Sequence, residues 1–91
     1  MRLVLTQHDD VVERVRATKG ESIVIVLDPQ TPVLPLALAR AAIAPLAIER
    51  APATRINAVL ASPAASHADI EAAIEFLEAA TSTTGQLIEV N

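Results

Sequence analysis

The segment Ser22-Ile-Val-Ile-Val-Leu27 is apolar and mostly β-branched at successive positions. Successive side chains of a strand point to opposite faces. A strand of this kind therefore cannot leave either face to water. It needs cover on both sides, which parallel sheets obtain from crossover helices. The rest of the chain supplies matching parts. Arg2-Leu-Val-Leu-Thr6, Arg55-Ile-Asn-Ala-Val-Leu60 and Gln86-Leu-Ile-Glu-Val90 read as three further strands. Val11, Val12 and Val15 share a helical face opposite Glu13, Arg14 and Arg16, with Asp9 expected as N-cap and Lys19-Gly20 as the end. A second helix is expected over roughly Leu36–Arg50, after the proline-punctuated loop Asp28–Pro35. Pro45 should kink or restart it, and Pro52 should mark its end. Ser66 is placed to cap a third helix, with Asp69 three residues on and Ile70, Ala73, Ile74 and Leu77 along one face. The alternation predicts an α/β domain of about four mainly parallel strands and three helices, one domain over residues 1–91.

Composition narrows the function classes. Hydrophobic residues make up 52% of 91, a globular proportion. They are mostly small aliphatics, and Phe76 is the only aromatic. The net charge of −4 comes without a basic cluster, which disfavours nucleic acid as a partner. There is no Cys, so disulfides and thiolate metal sites are excluded and nothing points to an oxidising compartment. The opening residues turn polar too soon for a signal peptide. The apolar run Pro32–Ile48 carries Arg40 and three prolines, and reads as a buried helix rather than a membrane span. A cytoplasmic location is the expectation.

Five segments together resemble the second half of the short-chain dehydrogenase/reductase family. Leu38-Ala-Arg-Ala-Ala-Ile-Ala-Pro-Leu-Ala-Ile-Glu-Arg-Ala-Pro52 is similar to the helix ending in "LA-x-E-xAP". Arg55-Ile-Asn-Ala58 is similar to the following "RVNA" strand, and Glu21–Asp28 to the "GSIVNISS" strand before the helix. Ala68–Leu77 and Thr84–Asn91 resemble the "FLaS" helix and the "TGq-x-i-x-vDGG" strand. The resemblance implies a truncated Rossmann-like domain whose strand order follows the chain. It also implies that the sheet of the family continues past the equivalent of the first strand here.

The departures bear on function. Only Gly20 and Gly85 occur, so no G-x-G-x-x-G turn for a dinucleotide can be built. The family's catalytic Ser falls on Asp28. Its Tyr-x-x-x-Lys falls on Pro32 and Leu36 in one alignment, or on Leu36 and Arg40 in another, and the chain has no Tyr. General acid–base catalysis by the family's route is therefore not expected, and no cofactor is expected.

Other constellations read as structural. His8-Asp9-Asp10 has metal-ligand types, but no second His lies near it, and a solvated loop with a helix cap suits it better. His67 with Asp69 and Glu71 suits an exposed first helical turn. Arg40 is expected in an ion pair, with Glu49 of a partner chain as one candidate, and Asn57 as a hydrogen-bonding strand residue. A residual pocket at the C-terminal strand ends would use Asp28, Gln30, Thr31 and Ser62, although Asp28 also suits a loop-capping role.

Three readings remain: a non-catalytic interaction module, a small-molecule or nucleotide-binding protein, and an enzyme, either by novel chemistry or by completing a partner's active site. The first is favoured. The helix near Leu36–Ile48 is apolar nearly all round, and only three helices are available to cover a sheet whose central strands are apolar on both faces. A homodimer, or a complex with a larger dehydrogenase-like partner, is expected. One interface would use Leu36, Ile43 and Leu46, which in the family lies in a helix bundle between subunits. A second would use Ile74, Leu77, Leu87 and Val90.

Overall fold

The computed structural model describes residues 1–91. The β-branched segment forms β2 (Ser22–Leu27), paired along its length with β3 (Arg55–Ala61). β1 (Arg2–Val4) flanks β2, and β4 (Leu87–Val90) flanks β3. All three pairings are parallel, as the alternation predicts, and the order is β1-β2-β3-β4, the one the resemblance implies. Three helices make the crossovers: α1 (Val11–Ala17), α2 (Val33–Arg50) and α3 (His67–Ala79).

The faces of the sheet are covered unequally. α1 and α2 share one face, over Leu3, Leu5, Ile23, Ile25, Leu27, Ile56 and Ala58. α3 alone covers part of the other, packing Ile74 and Leu77 on Val24 and Val59. Ile23, Val24 and Ile25 are fully buried, so β2 is enclosed from both sides. The chain contains no helix long and apolar enough to cross a membrane.

Several boundaries differ from expectation. The cap of α1 is Asp10, whose carboxylate accepts from the Glu13 N–H at 3.1 Å. Asp9 instead accepts from the N–H of Thr6 at 2.8 Å and pairs with Arg14 at 2.9 Å. Adjacent aspartates offer the same chemistry, and the turn before the helix takes the first. α1 ends at Ala17, before Lys19-Gly20, where the Thr18 hydroxyl donates to the Arg14 carbonyl at 2.7 Å. α2 starts at Val33, three residues before the expected Leu36, and runs unbroken through Pro45. Pro45 and Ala41 both lie on the exposed side. The Ala41 carbonyl that loses its N–H partner is thus placed where water can satisfy it. Ser66 caps α3 as expected, accepting from the Asp69 N–H at 3.1 Å.

Candidate functional site

The C-terminal ends of the strands carry the residues proposed for a pocket. Asp28 follows β2, and its carboxylate accepts from the Gln30 N–H at 2.8 Å while its carbonyl accepts from the Thr31 N–H at 3.1 Å. The side chain thus closes its own turn. Ser62 follows β3, and its N–H donates to the Val90 carbonyl at 2.7 Å. Asp28 and Ser62 meet in an open groove of about 420 Å³ on the α3 side, with Val4, Thr6, Val26 and Ile70. Ser62 also borders a groove of about 270 Å³ on the α2 side, with Leu36, Leu60, Glu89 and Val90. Thr31 joins Asp28 only in a cleft of about 30 Å³. Gln30 is exposed and lines none of these.

The acid–base equipment of the site is sparse. Leu36, at a position matched to the phenol or to the lysine, contributes an aliphatic wall. Arg40 is held by Glu89 of β4 at 2.6 Å. The ion pair expected for Arg40 is thus made within its own chain, and Glu49, named as a candidate from a partner chain, forms a two-bond contact with Arg16 of its own chain at 2.7 and 3.1 Å. Position 40 on α2 looks toward β4, whereas Glu49 lies at the α1 end of the same helix. His67 is exposed and its Nε2 stands 3.8 Å from Glu71, which is engaged by Arg2 at 2.7 Å. No three His, Cys, Asp or Glu side chains come together as a metal site requires.

The titrating groups that are perturbed lie elsewhere and serve the scaffold. The Arg16 guanidinium, donating to Glu49, holds that carboxylate below its ordinary range. Arg2 does the same for Glu71, and the Thr6 N–H for Asp9.

The residues named for an interface divide. Ile43, Leu46, Ile74 and Leu77 are packed into the core of their own chain, and Leu36, Leu87 and Val90 are half-buried. Apolar residues exposed on α2 are others: Val33 is 86%, Leu34 68%, Leu38 62% and Ile48 78% accessible. Leu34, Leu38, Ala41, Pro45 and Ile48 recur at spacings of four and three, the pattern of a helix-pairing seam. That spacing was available in the sequence. It is masked there by Leu36, Ile43 and Leu46, which make the helix look apolar in every direction.

An all-parallel sheet sandwiched between helices, with its loops gathered at the C-terminal strand ends, defines a Rossmann-like α/β domain. Over residues 4–90 the chain matches the family described as SDR-like, short chain dehydrogenase-like protein, and it belongs to that family. No curated protein and no solved structure matches it.

Proposed function

We propose that the protein acts as a non-catalytic, dehydrogenase-like interaction module, assembling through the outer face of α2. The observation that carries this reading is the exposed seam Leu34, Leu38, Ala41, Pro45 and Ile48. A contiguous apolar surface of this kind marks an interaction site in a water-soluble protein. The partner that fits best is a second copy. Two α2 helices packed antiparallel about a two-fold axis set Leu34 against Ile48 of the other copy and Ala41 against its own counterpart. The small residue at the centre allows close approach, and the large ones lie at the ends. The segment Asp10–Lys19, which holds α1 and packs beside α2, is polarised in the complementary sense: Asp10 and Glu13 come first, Lys19 last, with Arg14 and Arg16 between them held by Asp9 and Glu49 of their own chain. Antiparallel packing brings the acidic end of one copy toward the basic end of the other, as an isologous interface requires. A larger dehydrogenase-like partner presenting an equivalent helix is the variant of this reading. A cytoplasmic setting suits a chain that has no cysteine.

The lack of any Tyr and of a glycine-rich turn supports the non-catalytic part. Without such a turn, fewer backbone N–H groups are available to the pyrophosphate of a dinucleotide. Calorimetry of the purified chain with NAD or NADP is expected to show no binding in the micromolar range. A micromolar Kd would contradict this part of the reading.

A second reading rests on the groove of about 420 Å³ where Asp28 and Ser62 meet, which is within the size range of small-molecule sites. A thermal-shift screen with nucleotides and small polar metabolites tests it. A ligand-induced shift that Ser62→Leu removes would raise this reading above the first.

A further inference from the structure

The free edge of β1 offers a second contact surface, on the side of the sheet away from β4. In a parallel ladder, alternate residues direct both backbone groups to the same neighbour. The Val24 N–H donates to the Met1 carbonyl at 2.8 Å, and the Leu5 N–H to the Val26 carbonyl at 3.0 Å. Met1, Leu3 and Leu5 therefore face β2, while Arg2, Val4 and Thr6 face outward. Thr6 is closed by its own turn, since its N–H donates to the Asp9 carboxylate and its carbonyl accepts from the Asp9 N–H at 3.2 Å. The N–H and carbonyl groups of Arg2 and Val4 are left on an edge that no strand of the chain pairs.

Two features beside this edge point to its occupant. Val4 is exposed and forms a wall of the 420 Å³ groove with Val26, Ala65 and Ile70, an apolar recess on the face that α3 covers only in part. Further toward the start of β1, α3 presents Glu71, Glu75 and Glu78 on one flank, at spacings of four and three. Arg2 binds Glu71 at 2.7 Å and lies 3.7 Å from Glu78, which the Met1 ammonium also approaches at 3.9 Å, so Glu75 is the carboxylate of this flank with no partner in the chain. An added strand alternates its side chains at the same period as β1. The residue beside Val4 would enter the recess, and the residue two positions toward the start of β1 would lie beside Arg2, where a long basic side chain can extend past it to Glu75.

We propose that the β1 edge accepts an extended peptide segment of a partner protein, with an aliphatic and a basic residue two positions apart on one face. Backbone pairing with Arg2 and Val4 supplies the general contact, and the recess and the carboxylates supply selectivity. A second copy of β1 is a poor fit. Antiparallel pairing centred on Leu3 would set Arg2 of one copy, already engaged by glutamates, against Val4 of the other at the apolar recess. The proposal rests on the interaction-module reading but uses a different surface from α2, so the two can fail separately.

The test is a titration of the full chain with a labelled, end-blocked six-residue peptide carrying lysine and isoleucine two positions apart, followed by fluorescence anisotropy and amide chemical shifts. Saturable binding with shifts centred on Arg2, Val4 and Ile70 is expected. A peptide with glutamate for lysine should bind at least fivefold more weakly, as should one N-methylated at the pairing amides. Val4→Pro removes an outward N–H from an edge strand, where proline is tolerated. It should weaken binding at least fivefold with unchanged circular dichroism. Glu75→Lys, on the exposed surface of α3, should weaken the lysine peptide and not the glutamate one. No saturation at millimolar peptide, or shifts confined to α2, would overturn the proposal. So would dissociation of a homo-oligomer by Val4→Pro, which would assign the edge to a second copy.

Discussion

Asn57 lies fully buried near the start of β3 with both ends of its amide in use. Its Nδ2 donates to the Thr83 carbonyl at 2.9 Å and its Oδ1 accepts from the Gln86 N–H at 3.0 Å. The side chain thereby holds the turn that delivers β4 to the sheet. Asn57→Ala would leave both backbone groups without their partner in a partly buried site. The expected cost is about 2–3 kcal/mol in urea unfolding, and a loss under about 0.5 kcal/mol would show that solvent replaces the amide. Gly85 ends the same turn at φ +77°, and a Cβ there would meet Ala47 at an ordinary 3.6 Å. Gly85→Ala should therefore cost only the backbone term, about 1–2 kcal/mol by the same measurement. A larger loss would mean that the contact with α2 is tighter than the geometry implies. Asn57 is legible in the sequence as a hydrogen-bonding strand residue, but its partners are not, because they are 26 and 29 positions away. The choice of Asp10 over Asp9 as cap is hidden for a different reason: adjacent aspartates are chemically alike, and the preceding turn decides between them.

Among the elements, the strands were the most legible. β2 and β3 announce themselves as runs apolar on both faces, and that property dictates their central, two-sided burial. Helix limits were less legible, because capping at α1 and the start of α2 depend on loop geometry. Pro45 misleads in α2, since its effect depends on which side of the helix it occupies. Ion pairs fasten the elements to one another: Arg16 of α1 to Glu49 of α2, and Arg2 of β1 to Glu71 of α3. Arg50 adds donations to the Val15 and Thr18 carbonyls at 2.9 Å, closing the C-terminal end of α1. Glu49, Glu71 and Asp9 all titrate below their ordinary range in the folded chain. A carboxyl depressed on folding favours the native state above its unfolded pKa and loses that contribution as pH falls through the folded one. The urea midpoint should therefore fall on acidification below about pH 4.5, near the ordinary carboxyl values. These groups should leave it flat between about pH 6 and 8. Glu71→Gln should shallow the acid slope, and an unchanged slope would mean the Arg2 contact is too exposed to matter.

For the whole molecule, the site was less legible than the fold. Of the four residues expected to form a pocket, Asp28 and Ser62 border one groove, Thr31 and Gln30 do not line it, and Asp28 closes its own turn. Which apolar residues of α2 and α3 face outward depends on helix phase against the sheet. Ile43 and Ile74 proved to be core, while Leu34 and Leu38 are exposed. The phase also selects the informative substitution. Ile43→Glu would place a charge in the core and unfold the chain, whereas Leu38→Glu alters only the seam. Sedimentation equilibrium at micromolar concentration, on the wild-type chain and on Leu38→Glu with circular dichroism as the folding control, tests the assembly directly. Assembly through α2 requires a wild-type mass about twice the 9.6 kDa of the chain and a folded Leu38→Glu monomer. A stable wild-type monomer of 9.6 kDa, or a Leu38→Glu dimer as tight as wild type, would contradict it.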